Sequence, residues 1–130
     1  MKFVIPGKPI PLARARVSKN FFYDPQYQVK KNVLEYLKVD DFIPYLQPLE
    51  VDFLFEFETP KSWSKKKRAL KLNTAHDQTP DLDNNVKFIL DLLNKKIWID
   101  DKIIYKISAK KIWSDISRTT IEVNEKEEEI

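Results

Sequence analysis

Residues 48–60, PLEVDFLFEFETP, limit the possible folds more than any other stretch. Leu49, Val51, Phe53, Phe55 and Phe57 alternate with Glu50, Asp52, Leu54, Glu56 and Glu58, and Pro48 and Pro60 bound the run. A period of two puts the five apolar side chains on one face of a strand and most of the charge on the other, so one face must be covered. Two helical segments are available as cover. Pro25 suits the first turn of a helix over about residues 25–38, with Val29, Val33, Leu34 and Leu37 at helical spacing. A second helix, about residues 83–95, carries Val86, Ile89, Leu90 and Leu93 on one face with Phe88 and Leu92 beside it.

Other strands are expected at 2–5, at 116–123, and after residue 95, where Ile103, Tyr105, Ile107 and Ala109 share a side. Strand 2–5 runs into a stiff, extended loop containing Pro6, Gly7, Pro9 and Pro11. Residues 61–78 hold six Lys and Arg and no carboxylate before Asp77, and read as a short helix or loop. Strands at both ends, helices between them and no Gly-rich crossover predict an α+β fold: a small, mostly antiparallel or mixed β-sheet with about two helices packed on it. At 130 residues the chain is one domain, placed at 1–121, followed by an acidic tail at 122–130 that is expected to fray.

That tail holds five Glu and one Lys, a net −4, so residues 1–121 carry +7 against +3 for the whole chain. A basic body favours a polyanion, nucleic acid before membrane, because no basic amphipathic helix with a broad apolar face is present. There are no cysteines, which excludes disulfides and thiolate metal sites and leaves oxygen ligands or the lone His76. His76 reads more readily as a loop or core residue than as a ligand. No apolar run is long enough for a bilayer span or a signal peptide, so the expected setting is soluble and cytoplasmic.

The stretch TPDLDNNVKFILDLLN (79–94) places Asp81 and Asp83 at a helix start. One Asp there is ordinary capping, worth about 1 kcal/mol. Two, with Asp100 and Asp101 further on, exceed that need, and four clustered carboxylates repel unless a cation compensates. If the chain after the helix doubles back beside the segment leading into Asp81, three or four oxygens converge, a set suited to Mg²⁺ or Mn²⁺. Lys87 lies four residues after Asp83 and Asp91 four after Lys87, the spacing of exposed helix ion pairs. For Asp91 that reading is preferred; Lys87 beside a carboxylate site can also offset charge developing on a phosphate. A calcium loop starting at Asp81 fails, since Val86 and Leu92 stand where Gly and Glu are required. A phosphatase with an Asp nucleophile needs a larger doubly wound sheet.

PDLDNNVKFILDLLN followed by IWIDDKII resembles the RusA-like Holliday junction resolvases of bacteria and their phages. FVIPGKPIPLARAR, with Arg14 and Arg16 at R-x-R spacing, and PKSWSKKKRAL are similar to the same family, so the likeness spans about residues 3–121. Asn85 departs from it, standing where Leu is usual after D-L-D-N, and LARAR replaces a form with Pro between the arginines.

The resemblance implies a small α+β homodimer that introduces paired nicks in four-way DNA junctions, in recombination and repair. It implies Asp81, Asp83 and Asp101 as Mg²⁺ ligands, with Mn²⁺ as an alternative ion, and Lys87 as the essential lysine. Asp100 is the other member of the D-D pair, and Asp101 is the preferred ligand of the two. No small-molecule cofactor and no membrane partner are expected. Phosphate contacts are expected from Lys8, Arg14, Arg16, Lys19, Lys65, Lys66, Lys67 and Arg68. Phe21, Phe22 and Tyr23 read as core aromatics before base-stacking ones. Two rival readings are a non-catalytic junction-binding protein, which has no need of the Asp81, Asp83, Lys87 and Asp101 set, and a general flap or branched-DNA nuclease.

Overall fold

The computed structural model describes residues 1–13, 16–18 and 21–126. Its centre is strand β4 (Leu49–Glu58), in a four-stranded sheet of order β1-β6-β4-β5. The other members are β1 (Lys2–Pro6), β5 (Ile104–Ser114) and β6 (Arg118–Glu125). β6 is antiparallel to both β1 and β4, whereas β5 is parallel to β4, so the sheet is mixed. A parallel pair requires a long crossover, and here it contains α2 (Lys65–Lys71) and α3 (Leu82–Leu93). Helix α1 (Tyr27–Leu37) precedes β4, and a 3-10 turn, Asp101–Ile103, leads into β5.

The alternation in β4 is realised: Leu49, Val51, Phe53, Phe55 and Phe57 are all buried, together with Ile121 and Val123 of β6. Phe88, Ile89, Leu92 and Leu93 of α3 close over them, and Ile97 and Trp98 complete the core. Each such side chain contributes about 1.5–3 kcal/mol on burial. On the opposite face of β4, Glu56 is also buried, accepting from Arg118 Nε at 2.9 Å and Ser114 Oγ at 2.8 Å.

Four details differ from the sequence expectations. The buried face of α3 comprises Asn85, Phe88, Ile89, Leu92 and Leu93, with Val86 and Leu90 only partly covered. A helix apolar on several sides leaves its rotation to its packing partner. Tyr105 does not join Ile107 and Ala109, because a bulge between Leu49 and Glu50 pairs Leu49 with Ile104 and Glu50 with Lys106. Displaced by one residue, its hydroxyl donates to Glu50. A hairpin of β2 (Arg16–Ser18) and β3 (Phe21–Tyr23) occurs where a loop was expected, its strands too short to show a period. The basic stretch, read as a short helix or loop, is a short helix, α2, capped by Ser64 Oγ accepting from the Lys67 N–H at 3.1 Å. Finally, β6 runs to Glu125, so the acidic segment begins inside a strand whose Ile121 and Val123 are buried while Glu122 and Asn124 are exposed.

Candidate active site

The C-terminal ends of β4 and β5 lie side by side, with Glu58 in register with Ser114. Open sheets with parallel strands commonly bind ligands at that end. Three segments gather there. Residues 73–76 run back along the end of β5: Asn73 N–H donates to the Trp113 carbonyl (2.8 Å), Trp113 N–H to Thr74 (2.9 Å) and His76 N–H to Lys111 (3.1 Å). The chain then enters α3 through a cis Thr79–Pro80 peptide, whose flanking carbonyls, Gln78 and Pro80, each accept from Lys111 Nζ at 2.7 Å. The proline-rich loop arrives from the other side, with Leu12 N–H donating to the Asn84 carbonyl at 2.9 Å.

Asp81 occupies the N-cap position of α3 in an extended conformation, φ −67° and ψ 139°. Its carbonyl accepts from Asn84 and Asn85 at 3.1 and 3.2 Å, but its carboxylate makes no cap hydrogen bond. An N-cap Asp ordinarily spends its side chain on the helix's open N–H groups. Here that side chain is exposed instead. Asp83 follows in the first turn, also exposed, and Lys87 Nζ lies 3.5 Å from Asp83 Oδ2, the spacing expected of an i,i+4 pair. Both side chains are more than half exposed, 59% and 66%, so the pair adds little stability and remains available to a ligand.

Asp91 is not the next link in that chain. Its carboxylate pairs at 2.6 Å with Lys30 of α1, which also holds Asp24 at 2.6 Å. Lys30 thus ties α1 and the segment after β3 to α3. Desolvation opposes the charge on Lys30, but its two carboxylate partners outweigh it and raise its pKa.

Asp100 and Asp101 lie at the other end of α3. Asn94 is the C-cap of the helix, and its Oδ1 accepts from the Asp101 N–H at 3.1 Å. A 12-residue helix is about 18 Å long, so one chain does not bring Asp101 to Asp81 and Asp83. The chain does double back after α3, but the residue that reaches the segment leading into Asp81 is Lys111, seven residues into β5 from its start at Ile104. Sequence reading missed Lys111. Its signal is a lysine in the alternation of Ile107, Ala109 and Trp113, where an apolar residue belongs.

The two members of the D-D pair differ. Asp100 Oδ1 caps the 3-10 turn, accepting from the Lys102 N–H at 2.9 Å, and that bond chiefly lowers its pKa. Asp101 is raised, first by desolvation from neighbouring atoms, although the residue is exposed overall, and then by the adjacent Asp100.

Of the expected DNA contacts, Lys8 stands in the loop beside Thr79, and both line a cleft at this end of the sheet. Lys65, Lys66 and Lys67 are exposed on α2, which Trp63 docks against Trp113 at 4.9 Å. Lys67 Nζ lies 4.2 Å over the Trp63 ring. Arg68 turns inward, donating from Nε to Thr59 Oγ1 at 2.9 Å with a further contact to Glu58 at 3.8 Å, which gives it a role in holding α2 to the sheet. Arg14 and Lys19 lie outside the described residues, and Arg16 opens β2. His76 is buried, its ring 4.1 Å from Phe57 and 4.3 Å from Trp113, and burial followed by the charge of Lys111 lowers its pKa. It belongs to the core.

A family profile described as Endodeoxyribonuclease RusA matches residues 6–124. The chain belongs to the RusA family. As a RusA-family protein it is an endodeoxyribonuclease, a hydrolase that acts on branched DNA and resolves Holliday junctions. Comparison with curated proteins finds no match. RusA-type nucleases use a divalent metal. The donors present suit a hard cation: Asp81 and Asp83 offer oxygen only, and Mg²⁺ binds through one or two carboxylates while keeping water and phosphate oxygens in its shell. No group of three Asp, Glu or His among the described residues could hold a metal within one chain.

Proposed function

We propose that the chain is a homodimeric, Mg²⁺-dependent Holliday junction resolvase that makes paired nicks by phosphodiester hydrolysis, with a nuclease domain that takes in all of β6, to Glu125. The observation that carries this reading is Asp81, an N-cap carboxylate left out of capping beside exposed Asp83 and Lys87. Mn²⁺ is the expected substitute ion. The setting that fits is the cytoplasm of a bacterium, with the gene bacterial or phage-borne.

In this reading Asp81 and Asp83 hold the metal and Asp101 of a second copy adds the third carboxylate. Asp100 keeps its capping role. The bound ion supplies a lowered water pKa and stabilisation of the leaving oxygen. Lys87 then stands where its ammonium meets charge developing on the phosphate. Lys8, Lys65, Lys66 and Lys67 contact phosphates on either side, and the resemblance adds Arg14, Arg16 and Lys19.

The homodimer is supported by the edge of β5. Residues 111–113 of that edge are covered by residues 73–76, but among the described residues no strand pairs with 104–110 on the side away from β4. This open stretch centres on Ile107 and exposes Ile107 (46%) and Tyr105 (49%). Two copies pairing antiparallel there turn the start of one β5, near Asp101, toward the end of the other, near Asp81. A junction has approximate twofold symmetry, and a twofold dimer offers it two equivalent sites.

The test is a cleavage panel of four-way junction, flap and linear duplex, with and without Mg²⁺. Paired nicks in the junction only with metal are expected; equal cutting of flaps favours a general branched-DNA nuclease, and no cutting of any substrate overturns the proposal.

A further inference from the structure

We infer that Lys111 is a positioning residue for Asp81: by holding the carbonyls of Gln78 and Pro80 it sets the backbone from which the Asp81 carboxylate reaches the metal. The inference rests on the reading of Asp81 as a ligand.

Lys111 pairs with Phe55 in the β4–β5 register and so lies on the face that carries the core. A cation there is costly unless its head finds acceptors, while its methylene stem can lie on apolar surface. The acceptors are two backbone carbonyls, both at 2.7 Å. An ammonium has three donors on a flexible stem and can serve both at once, which a shorter side-chain amide does not.

The Pro80 carbonyl and the Asp81 N–H belong to one rigid peptide plane. Holding that oxygen therefore orients the bond from which the Asp81 side chain departs. The Asp81 side chain itself makes no cap hydrogen bond to the helix. Ordinary capping fixes an N-cap Asp by its own hydrogen bonds; here the fixing comes from behind, through the backbone, and leaves the carboxylate oxygens for a cation. The Lys111 backbone is in turn held by its pairing with Phe55 and by the His76 N–H donating to its carbonyl at 3.1 Å.

The test compares the full chain with Lys111→Met, which keeps the stem, and Lys111→Arg, which keeps charge and paired donors. Mn²⁺ binding is measured by electron paramagnetic resonance without DNA, alongside the Mg²⁺ dependence of junction nicking and junction affinity without metal. Residues that orient metal ligands typically change metal affinity or activity by about 10–100-fold. Lys111→Met is expected to weaken Mn²⁺ binding and raise the Mg²⁺ needed for half-maximal nicking by about tenfold or more. Metal-free junction affinity should not change, and Lys111→Arg should recover most of the loss.

Wild-type Mn²⁺ binding in folded Lys111→Met overturns the inference. So does a loss of metal-free junction affinity, which would make Lys111 a phosphate contact. If Lys111→Met does not fold, Lys111→Gln, which reaches at most one carbonyl, takes its place, and wild-type Mn²⁺ binding in it is equally adverse. A wild-type chain that neither binds Mn²⁺ nor nicks junctions refutes the nuclease mechanism and this inference with it, whereas an active wild type with an unaffected variant refutes the inference alone.

Discussion

Asp101 is anchored to the end of the helix that Asp81 begins: its N–H donates to Asn94 Oδ1 at 3.1 Å, and Asn94 is the C-cap of α3. If both carboxylates serve one metal, they come from different copies. Asp81→Asn and Asp101→Asn homodimers should each be inactive, while a mixed dimer restores one complete site from the unaltered residue of each copy. Co-refolding the two variants and assaying nicks measures this. A mixture as inactive as its parents would show that each site is built within one chain.

Asp83 and Lys87 separate metal holding from phosphate stabilisation. Asp83→Asn should abolish nicking but keep or tighten metal-free junction binding, because it removes a negative charge facing phosphate. Lys87→Met should lower kcat by about a hundredfold or more, with junction affinity changed only slightly, as expected for a group that acts on charge developing in the transition state. Single-turnover rates and gel-shift titrations distinguish the two.

Asn85 is fully buried on α3, and among the described residues neither its Oδ1 nor its Nδ2 has a hydrogen-bond partner. A buried polar group without a partner costs about 1–3 kcal/mol. Asn85→Leu, the residue usual at this point of the family pattern, should raise the urea midpoint by a corresponding amount without altering the slope. A lower midpoint would show that Asn85 has a partner, such as a buried water, that leucine expels.

His76 provides a pH signature. Burial and the nearby Lys111 charge hold its folded pKa below the ordinary 6.5, so between the two values the unfolded chain binds more protons than the folded one. Its contribution to stability is therefore full above about pH 6.5 and is lost as pH falls through the lower, folded value. One proton limits the slope to about 1.4 kcal/mol per pH unit. His76→Phe, which preserves a ring between Phe57 and Trp113, should flatten the profile of unfolding free energy in that window. An unchanged profile would assign the acid sensitivity to other groups.

Local patterning alone determined β4, because five apolar residues at a period of two between prolines admit one conformation and one buried face. It also determined the start of α3 and the identity of its surplus carboxylates, since Asp81, Asp83 and Lys87 are neighbours along a single element and their spacing is their geometry. The rotation of α3 was not legible, because a helix apolar on several sides is oriented by the sheet it meets. Nor was the Tyr105 bulge, which is a property of two paired strands. The place of Asp101 was decided by tertiary structure as well: a D-D pair a few residues beyond a helix can fold back or stay at its far end, and the bond to Asn94 keeps it there. Lys111 is the converse case. In the sequence it is a lysine that interrupts an apolar alternation, and it gains its meaning only because the parallel pairing of β5 with β4 carries it to the two carbonyls before Asp81.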